Sequence, residues 1–188
     1  LNDIFTRTNR FSNLALQLYG LYLRVGYVRN RKDYLFAREF FHSNLPAIDF
    51  QDLDFIGKVY YCQAHVWYYH MTQEFLLTYR YAQKWVDLFH ERPQMMEVNA
   101  PLYLKGLHNL LNALFNVLHY EKFVEVHRML QRFPERFSIR QVRNIESLYY
   151  LYYYIHTIKK HFMEGTFTEG LALAPELERI IASDRYNW

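Results

Sequence analysis

The chain has few of the residues that interrupt helices or form disulfides: its 188 residues include one cysteine, five prolines and six glycines. The single Cys62 excludes an internal disulfide framework and a cysteine-rich zinc site, and it favours a reducing compartment. No run of 18 apolar residues occurs, which argues against a membrane-spanning helix, and no secretory signal peptide is recognisable. We therefore expect a cytoplasmic protein. Because the chain begins with Leu1 and not with Met, we expect it to be part of a longer protein.

A strong excess of charge of one sign is also missing. There are 22 basic and 19 acidic residues, a formal net charge of +3, so strong electrostatic capture of nucleic acid is not indicated. The basic residues are concentrated in the first forty positions, at Arg7, Arg10, Arg24, Arg29, Arg31, Lys32 and Arg38. This concentration is compatible with a solvated face or with an anionic partner.

Apolar and aromatic residues are abundant. Hydrophobic residues make up 51% of the chain, which excludes disorder, and aromatic residues make up 19%, with 18 Tyr and 15 Phe. Tyrosine is amphipathic, and its hydroxyl needs water or a partner when it is buried. This composition favours long helices that pack through wide interfaces and leaves aromatic side chains for a binding surface.

A four-residue pattern recurs four times: an aromatic residue is followed by further core positions at offsets of three, seven and ten. The copies are Tyr34-Ala37-Phe41-Asn44, Phe75-Thr78-Ala82-Trp85, Tyr120-Phe123-His127-Leu130 and Phe167-Gly170-Ala174-Leu177. These offsets lie on one stripe of an α-helix. The copies start 41, 45 and 47 residues apart, a period typical of stacked helical hairpins.

The pattern predicts eight helices in four antiparallel pairs, near residues 9–46, 52–93, 101–134 and 139–182. The leading helices are predicted at 9–29, 52–71, 101–118 and 139–163, and the second helices at 33–44, 74–91, 120–133 and 167–182. Pro101 is suited to the first turn of a helix. Asp33 and Thr166 are predicted N-caps, the latter in a capping box with Glu169.

The repeats resemble the tetratricopeptide repeat family over nearly the whole chain. The matching positions are the aromatic residues that open the second helices, the close-packing positions Ala37, Thr78, Phe123 and Gly170, and the positions Phe41, Ala82, His127 and Ala174. The spacing exceeds the 34 residues of the standard repeat, so HEAT-like pairing is the structural alternative. The resemblance implies a single all-α domain over residues 1–188, an α-α superhelix whose leading helices line a concave face that binds a protein or peptide.

The third leading helix carries the clearest candidate for such a face. Lys105, Asn109, Asn112 and Asn116 follow one another at spacings of four, three and four, which places them on one stripe. Asparagine is a poor helix former, so its recurrence here calls for another reason. The amides complement an extended peptide backbone, and the lysine suits a carboxylate. The alternative is that the amides bridge neighbouring helices or face water.

The same register on the other leading helices extends the predicted surface. Counting back from each loop aromatic and adding adjacent positions gives Tyr60, Gln63, Trp67, His70, His108, Tyr152, His156 and Lys159. This surface is aromatic, amide-bearing and mildly cationic, so we expect a protein or peptide ligand with an anionic or C-terminal carboxylate group.

No motif for catalysis, a metal or a cofactor is present. The histidine pairs His65/His70 and His156/His161 are five residues apart, which is poor alignment for chelation on a helix. We therefore predict a non-catalytic binding scaffold. The alternatives are a nucleic-acid-binding helical repeat and a regulatory or sensor domain of a larger protein. The apolar end Ile180-Ile181-Ala182 suggests a homodimer through the C-terminal end.

Overall fold

The computed structural model describes residues 2–137 and 143–182, and within these ranges the chain is helical without a β-strand. The helices are α1 (Asn2–Val25), α2 (Arg31–Asn44), α3 (Phe55–Met71), α4 (Phe75–Glu91), α5 (Gln94–Val98), α6 (Ala100–Asn116), α7 (Tyr120–Gln131), α8 (Phe133–Arg136), α9 (Arg143–Glu164), α10 (Phe167–Leu171) and α11 (Ala174–Ala182). A 3-10 turn at Phe50–Asp52 precedes α3. The predicted all-α class and the packing of helices in neighbouring pairs are confirmed.

The chain divides into two compact units, Leu1–Met96 and Glu97–Trp188. Helices α1 to α4 belong to the first unit, and helices α6 to α11 belong to the second. Each unit has its own set of buried apolar side chains. The single domain over residues 1–188 stays a prediction.

In the first unit, α1 packs along α3 and α3 packs along α4. The second helix α2 joins this core through Ala37 and Phe41, which are both buried. The ring of Phe41 is stacked on that of Tyr68 in α3, with a centroid distance of 4.1 Å and an interplanar angle of 6°. The core therefore contains side chains from both leading helices and from the helix that connects them.

In the second unit, α6 packs against both α7 and α9, and α9 also contacts α7 and α10. Five of the six leucines of α6 have no exposed surface, namely Leu104, Leu107, Leu110, Leu111 and Leu114. These five leucines lie on one side of the helix, within roughly 120°. The other residues from 102 to 116 are buried or half-buried, so α6 is enclosed by its neighbours. A polar side chain on such a helix must find a partner within the packed layer or at its edge.

The turns before three of the second helices repeat one backbone geometry. Gln73, Leu118 and Gly165 have φ angles of 63°, 55° and 71°, and each lies two positions before the loop aromatic. The next amide donates to the carbonyl five residues back, in the pairs Glu74 to Tyr69 (2.9 Å), His119 to Leu114 (3.0 Å) and Thr166 to His161 (3.0 Å). This is the 6→1 bond of a Schellman motif. The turns recur 45 and 47 residues apart, as the aromatic residues do.

The second position of the sequence pattern is buried in all four copies, at Ala37, Thr78, Phe123 and Gly170. At Gly170 an added Cβ would lie 3.0 Å from the Cβ of His161, so close helix approach accounts for the glycine. The loop aromatics are more exposed: Phe167 retains 62% of its accessible surface. The pattern therefore predicts the packed stripe better than it predicts the burial of its first residue.

Several helix bounds differ from those predicted. Helix α1 spans Asn2–Val25 and not 9–29, and it ends where Gly26 takes a φ of 67°. Helix 120–133 ends at Gln131, and 167–182 is split into α10 and α11. Pro134 and Pro175 follow these two breaks by a few residues, and proline has no amide to continue the ladder. The predicted start of the fourth leading helix at 139 lies outside the described residues.

The predicted N-cap Asp33 is wrong, and Thr166 occupies the predicted N-cap position of α10 without the expected side-chain bond. The N-cap of α2 is Asn30, whose side chain accepts a bond of 2.9 Å from the backbone amide of Asp33. Thr166 makes no side-chain cap bond to α10. Its hydroxyl lies 2.8 Å from Nδ1 of His161, because the left-handed turn at Gly165 directs it toward the end of α9.

The longest helices are α1 and α9, with 24 and 22 residues. Both carry charged side chains along their length. In the described part of the chain, no helix combines the length and the apolar character that crossing a bilayer requires. The cytoplasmic location stays a prediction.

The repeated turn can be tested with two opposite substitutions. Leu118→Gly should raise the free energy of unfolding by roughly 0.5–1 kcal/mol, because a side chain in the left-handed region costs more than glycine loses in entropy. Gly165→Ala should lower it by about 1 kcal/mol, since no atom lies within 4 Å of the added Cβ and only φ opposes it. Urea unfolding followed by circular dichroism measures both.

Gly20→Ala is the matched control. Gly20 lies inside α1 and also has no atom within 4 Å of an added Cβ, but it lacks a positive φ. The same substitution should therefore stabilise by roughly 0.5–1 kcal/mol. Equal effects of the two glycine substitutions would contradict the strain argument.

Candidate functional site

Eight of the twelve candidate residues lie on α6 and α9 in the second unit. They are Lys105, His108, Asn109, Asn112, Asn116, Tyr152, His156 and Lys159. His156 is fully buried and the other seven are half-buried. The contact between α6 and α9 brings five of them together.

His108, Asn112, Tyr152, His156 and Lys159 form what we call the relay cluster. The rings of His108 and Tyr152 are stacked, with centroids 3.8 Å apart and an angle of 16°. Nδ1 of His108 lies 2.9 Å from Nε2 of His156. Nδ2 of Asn112 lies 3.0 Å from Nε2 of His108, and Nζ of Lys159 donates to Oδ1 of Asn112 at 2.5 Å. The cluster is thus a continuous chain of hydrogen bonds between two helices.

The ammonium of Lys159 fixes the direction of this chain. Because an ammonium only donates, the atom of Asn112 that faces it is the oxygen, and the amide NH₂ donates to Nε2 of His108. His108 therefore carries its proton on Nδ1 and donates it to Nε2 of His156. His156 in turn carries its proton on Nδ1. Within the described residues this buried atom has no hydrogen-bond partner.

The electrostatic environment of the cluster favours neutral histidine. Burial is the main cause that lowers the pKa of His156 well below its ordinary value, and the neighbouring His108 and Lys159 add to it. Burial also lowers the pKa of Lys159. Both shifts disfavour additional positive charge in this part of the molecule.

Lys159 and Lys160 differ in their partners. Among the described residues, no carboxylate lies within 4.0 Å of Nζ of Lys159, which lies 4.9 Å from the centroid of the Phe115 ring. Lys160 instead forms an ion pair of 2.7 Å with Glu164, which also accepts a hydrogen bond from the Tyr120 hydroxyl. Hydrogen bonds from Lys160 and Tyr120 lower the pKa of that carboxyl. Lys159 is therefore a half-buried cation without a counter-ion among these residues.

The remaining polar residues of the α6 stripe do not join the cluster. Asn109 donates from its amide to the backbone carbonyl of Lys105, at 2.8 Å, within its own helix. The side chains of Lys105 and Asn116 are half-buried and make no hydrogen bond to the relay cluster. Of the four residues of this stripe, Asn112 is the one whose side chain bonds to α9 within the described residues, which matches the alternative that an amide bridges neighbouring helices.

The other four candidates lie on α3 in the first unit, where two of them belong to an aromatic cluster. Trp67 contacts Tyr19 and Tyr22, with centroid distances of 4.8 and 5.5 Å. His70 contacts Tyr22 at 5.4 Å and Tyr27 at 5.0 Å, and the Tyr27 hydroxyl lies 3.0 Å from its Nε2. Desolvation raises the pKa of Tyr27 to about 12. Tyr19 and Tyr27 are exposed, so this cluster reaches the surface.

Gln63 and Tyr60 are not part of this aromatic cluster. Oε1 of Gln63 is buried and has no hydrogen-bond partner within the described ranges. Tyr60 is half-buried. The ring of Tyr60 is not stacked on Trp67 or His70, and Gln63 is not hydrogen-bonded to either. The α3 candidates therefore do not form one site.

The histidines do not assemble a metal site in the described ranges, where no group of three or more His, Cys, Asp or Glu side chains could hold an ion. His65 is buried between the rings of Tyr61 and Tyr81, at centroid distances of 4.2 and 4.3 Å. Cys62 is buried, and desolvation raises the pKa of its thiol to about 12, which suppresses the reactive thiolate.

Three contacting aromatic residues escaped the sequence prediction: Phe115, Tyr22 and Tyr27. Phe115 follows Asn112 by three positions, and Tyr22 follows Tyr19 by three positions. A step of three from Asn112 reaches Phe115, whereas the predicted register takes a step of four to Asn116. Tyr22 lies on the first leading helix, which contributes none of the twelve candidates. Tyr27 lies in the loop after α1, where no helical period applies.

Comparison of the chain with family models, curated proteins and solved structures finds no match. The class that the fold defines is thus an all-helical protein of paired helices.

Three buried histidines should make stability depend on pH. Desolvation lowers the pKa of His65 and His127 to about 4, and it lowers that of His156 as well. Below the unfolded pKa of about 6.5, the unfolded chain binds more protons than the folded chain. The free energy of unfolding should therefore decrease as the pH is lowered. The loss should approach about 1.4 kcal/mol per pH unit for each histidine until the folded state is protonated as well. Urea unfolding between pH 7.5 and 5 measures it.

His127→Gln should reduce this slope, because it removes one of the three groups. His90→Gln is the control, since His90 is exposed at the end of α4 and is not among the groups that shift the pKa of His65, His127 or His156. Its replacement should change the slope less than His127→Gln does. A slope that is unaffected by both substitutions would show that these histidines are not its source.

Proposed function

We propose that this chain is a non-catalytic binding module that captures a protein or peptide segment through α6 and α9, with an anionic group of the ligand at Lys159. The observation that carries the proposal is the half-buried ammonium of Lys159, which lacks a carboxylate partner in the described part of the chain. Burying an ammonium without a counter-ion costs free energy. A ligand carboxylate would supply the missing charge and raise the lowered pKa of Lys159 again.

The surroundings of Lys159 favour a C-terminal carboxylate over a free inorganic anion. The stacked rings of His108 and Tyr152 and the nearby ring of Phe115 offer apolar surface for the side chains of a peptide. The amide of Asn112 already holds Nζ of Lys159 in place at 2.5 Å, so little side-chain entropy remains to be lost on binding. Peptide capture by a prepositioned cation and aromatic rings requires no catalytic group.

We also propose that the helix pairs are divergent tetratricopeptide-like repeats. The support is local: three turns share one left-handed position and one closing hydrogen bond. Leading helices also lie side by side within each unit, α1 with α3 and α6 with α9. Such side-by-side leading helices are the arrangement from which α-solenoids are built.

The binding proposal is tested with a matched pair of lysine substitutions. Peptides selected from a displayed library with free C-termini are titrated by calorimetry against the wild-type chain, Lys159→Gln and Lys160→Gln. Lys159→Gln should weaken binding about tenfold or more, which is the loss of affinity expected when one charge-assisted hydrogen bond is removed. Lys160→Gln should change affinity little, because Lys160 is already paired with Glu164.

Amidated versions of the same peptides separate the carboxylate from the rest of the ligand. They should bind about as weakly to the wild type as free peptides bind to Lys159→Gln. Unchanged affinity on amidation, or selection of no peptide, would contradict the proposal. Tight oligonucleotide binding with a steep salt dependence would instead favour the nucleic-acid alternative.

A further inference from the structure

A cluster of cationic side chains lies in the first unit, far along the chain from the relay cluster. A cleft of about 740 Å³ is bordered by the 3-10 turn, the first turn of α3 and one face of α4. Its wall includes Phe50, Lys58, Tyr79, Arg80, Tyr81 and Lys84. This volume lies within the range of small-molecule sites in proteins.

Two lysines in this cleft converge on one aromatic ring. Nζ of Lys84 lies 3.4 Å from the centroid of the Phe50 ring, and Nζ of Lys58 lies 5.3 Å from the same centroid. The two ammonium groups therefore can be no further apart than the sum of these distances. Each gains a cation–π contact with the ring. No described carboxylate lies within 4.0 Å of either Nζ, so neither ammonium group is ion-paired.

Each lysine has an acidic neighbour at a spacing that commonly gives a salt bridge, but Oδ1 of each carboxylate is bonded to another group. Asp54 precedes Lys58 by four residues and accepts bonds of 2.8 Å from the amide of Gly57 and from the hydroxyl of Thr8. Asp87 follows Lys84 by three residues and accepts a bond of 2.7 Å from Nε2 of Gln83. Neither aspartate forms an ion pair with its neighbouring lysine in the described residues.

We propose that this cleft binds the phosphate group of a small organic phosphate or free phosphate, held between Lys58 and Lys84. Two convergent ammonium groups match the double negative charge of a phosphomonoester better than the single charge of a carboxylate. Arg80 lies in the same wall and adds a third cation, with the bidentate geometry that suits phosphate.

The acidic residues of the cleft limit where the anion sits. Asp87 and Glu91 follow Lys84 by three and seven residues along α4, so they place negative charge toward the C-terminal end of that helix. An anion is therefore confined to the end of the cleft near Phe50. The tyrosines Tyr79 and Tyr81 offer aromatic wall for an uncharged organic part of the ligand.

Phenyl phosphate, inorganic phosphate and benzoate are suitable probes, titrated by calorimetry against the wild-type chain and the double variant Lys58→Gln/Lys84→Gln. Phenyl phosphate should bind the wild type saturably, and the double variant should bind it at least about tenfold more weakly. Lys122→Gln is the control, because Lys122 is ion-paired with Glu125 and does not line the cleft. Lys84→Arg should retain binding, since it keeps the charge.

The phosphate arms distinguish the two sources of the anion. Equal affinity for inorganic and phenyl phosphate identifies free phosphate as the recognised group, and tighter binding of phenyl phosphate identifies an organic phosphate. Three results would overturn the proposal: no saturable binding of either phosphate, equal losses in the double variant and in Lys122→Gln, or benzoate binding as tight as that of phenyl phosphate. Equal urea midpoints of the variants show that the folded state is retained, which assigns any loss to the cleft.

Discussion

The rest of the second unit depends on the enclosure of α6 by α7 and α9. A helix packed on several sides leaves its polar side chains only two routes: they bond to their own backbone or to a neighbouring helix. Asn109 takes the first route, because its amide donates to the carbonyl of Lys105 at 2.8 Å. Asn112 takes the second route, because its Oδ1 accepts from Nζ of Lys159 on α9 at 2.5 Å. The relay cluster is the polar part of the same contact that buries the leucines of α6.

The two units meet the same requirement with different chemistry. On α3, Trp67 and His70 are surrounded by tyrosines from α1 and its following loop, so ring contacts do most of the packing. On α6 and α9, hydrogen bonds connect an ammonium at the edge to a fully buried imidazole. Both arrangements lie on helices that pack side by side within one unit, α1 with α3 and α6 with α9.

The helical period predicted the paired helices and the buried stripe, because core positions such as Thr78 and Phe123 must recur with that period whatever their identity. Eight candidates on α6 and α9 came from the same register, and five of them are in contact. The partner of each amide could not be predicted, because only the position of α9 decides that Asn112 accepts from Lys159 while Asn109 bonds within its own helix. The contact of Lys58 and Lys84 with Phe50 could not be predicted from the sequence either. It depends on which groups donate hydrogen bonds to Asp54 and Asp87 in the folded chain.

The fixed polarity of the relay cluster restricts how these positions can vary over evolutionary time. Position 112 must accept from Lys159 and donate to His108 at once, which an amide does and a carboxylate, as an acceptor only, does not. A carboxylate there would require the proton of His108 to move to its other nitrogen, and His156 would have to change tautomer with it. Residues 108, 112, 156 and 159 are therefore expected to be inherited as one set, and homologues should replace them together and not singly.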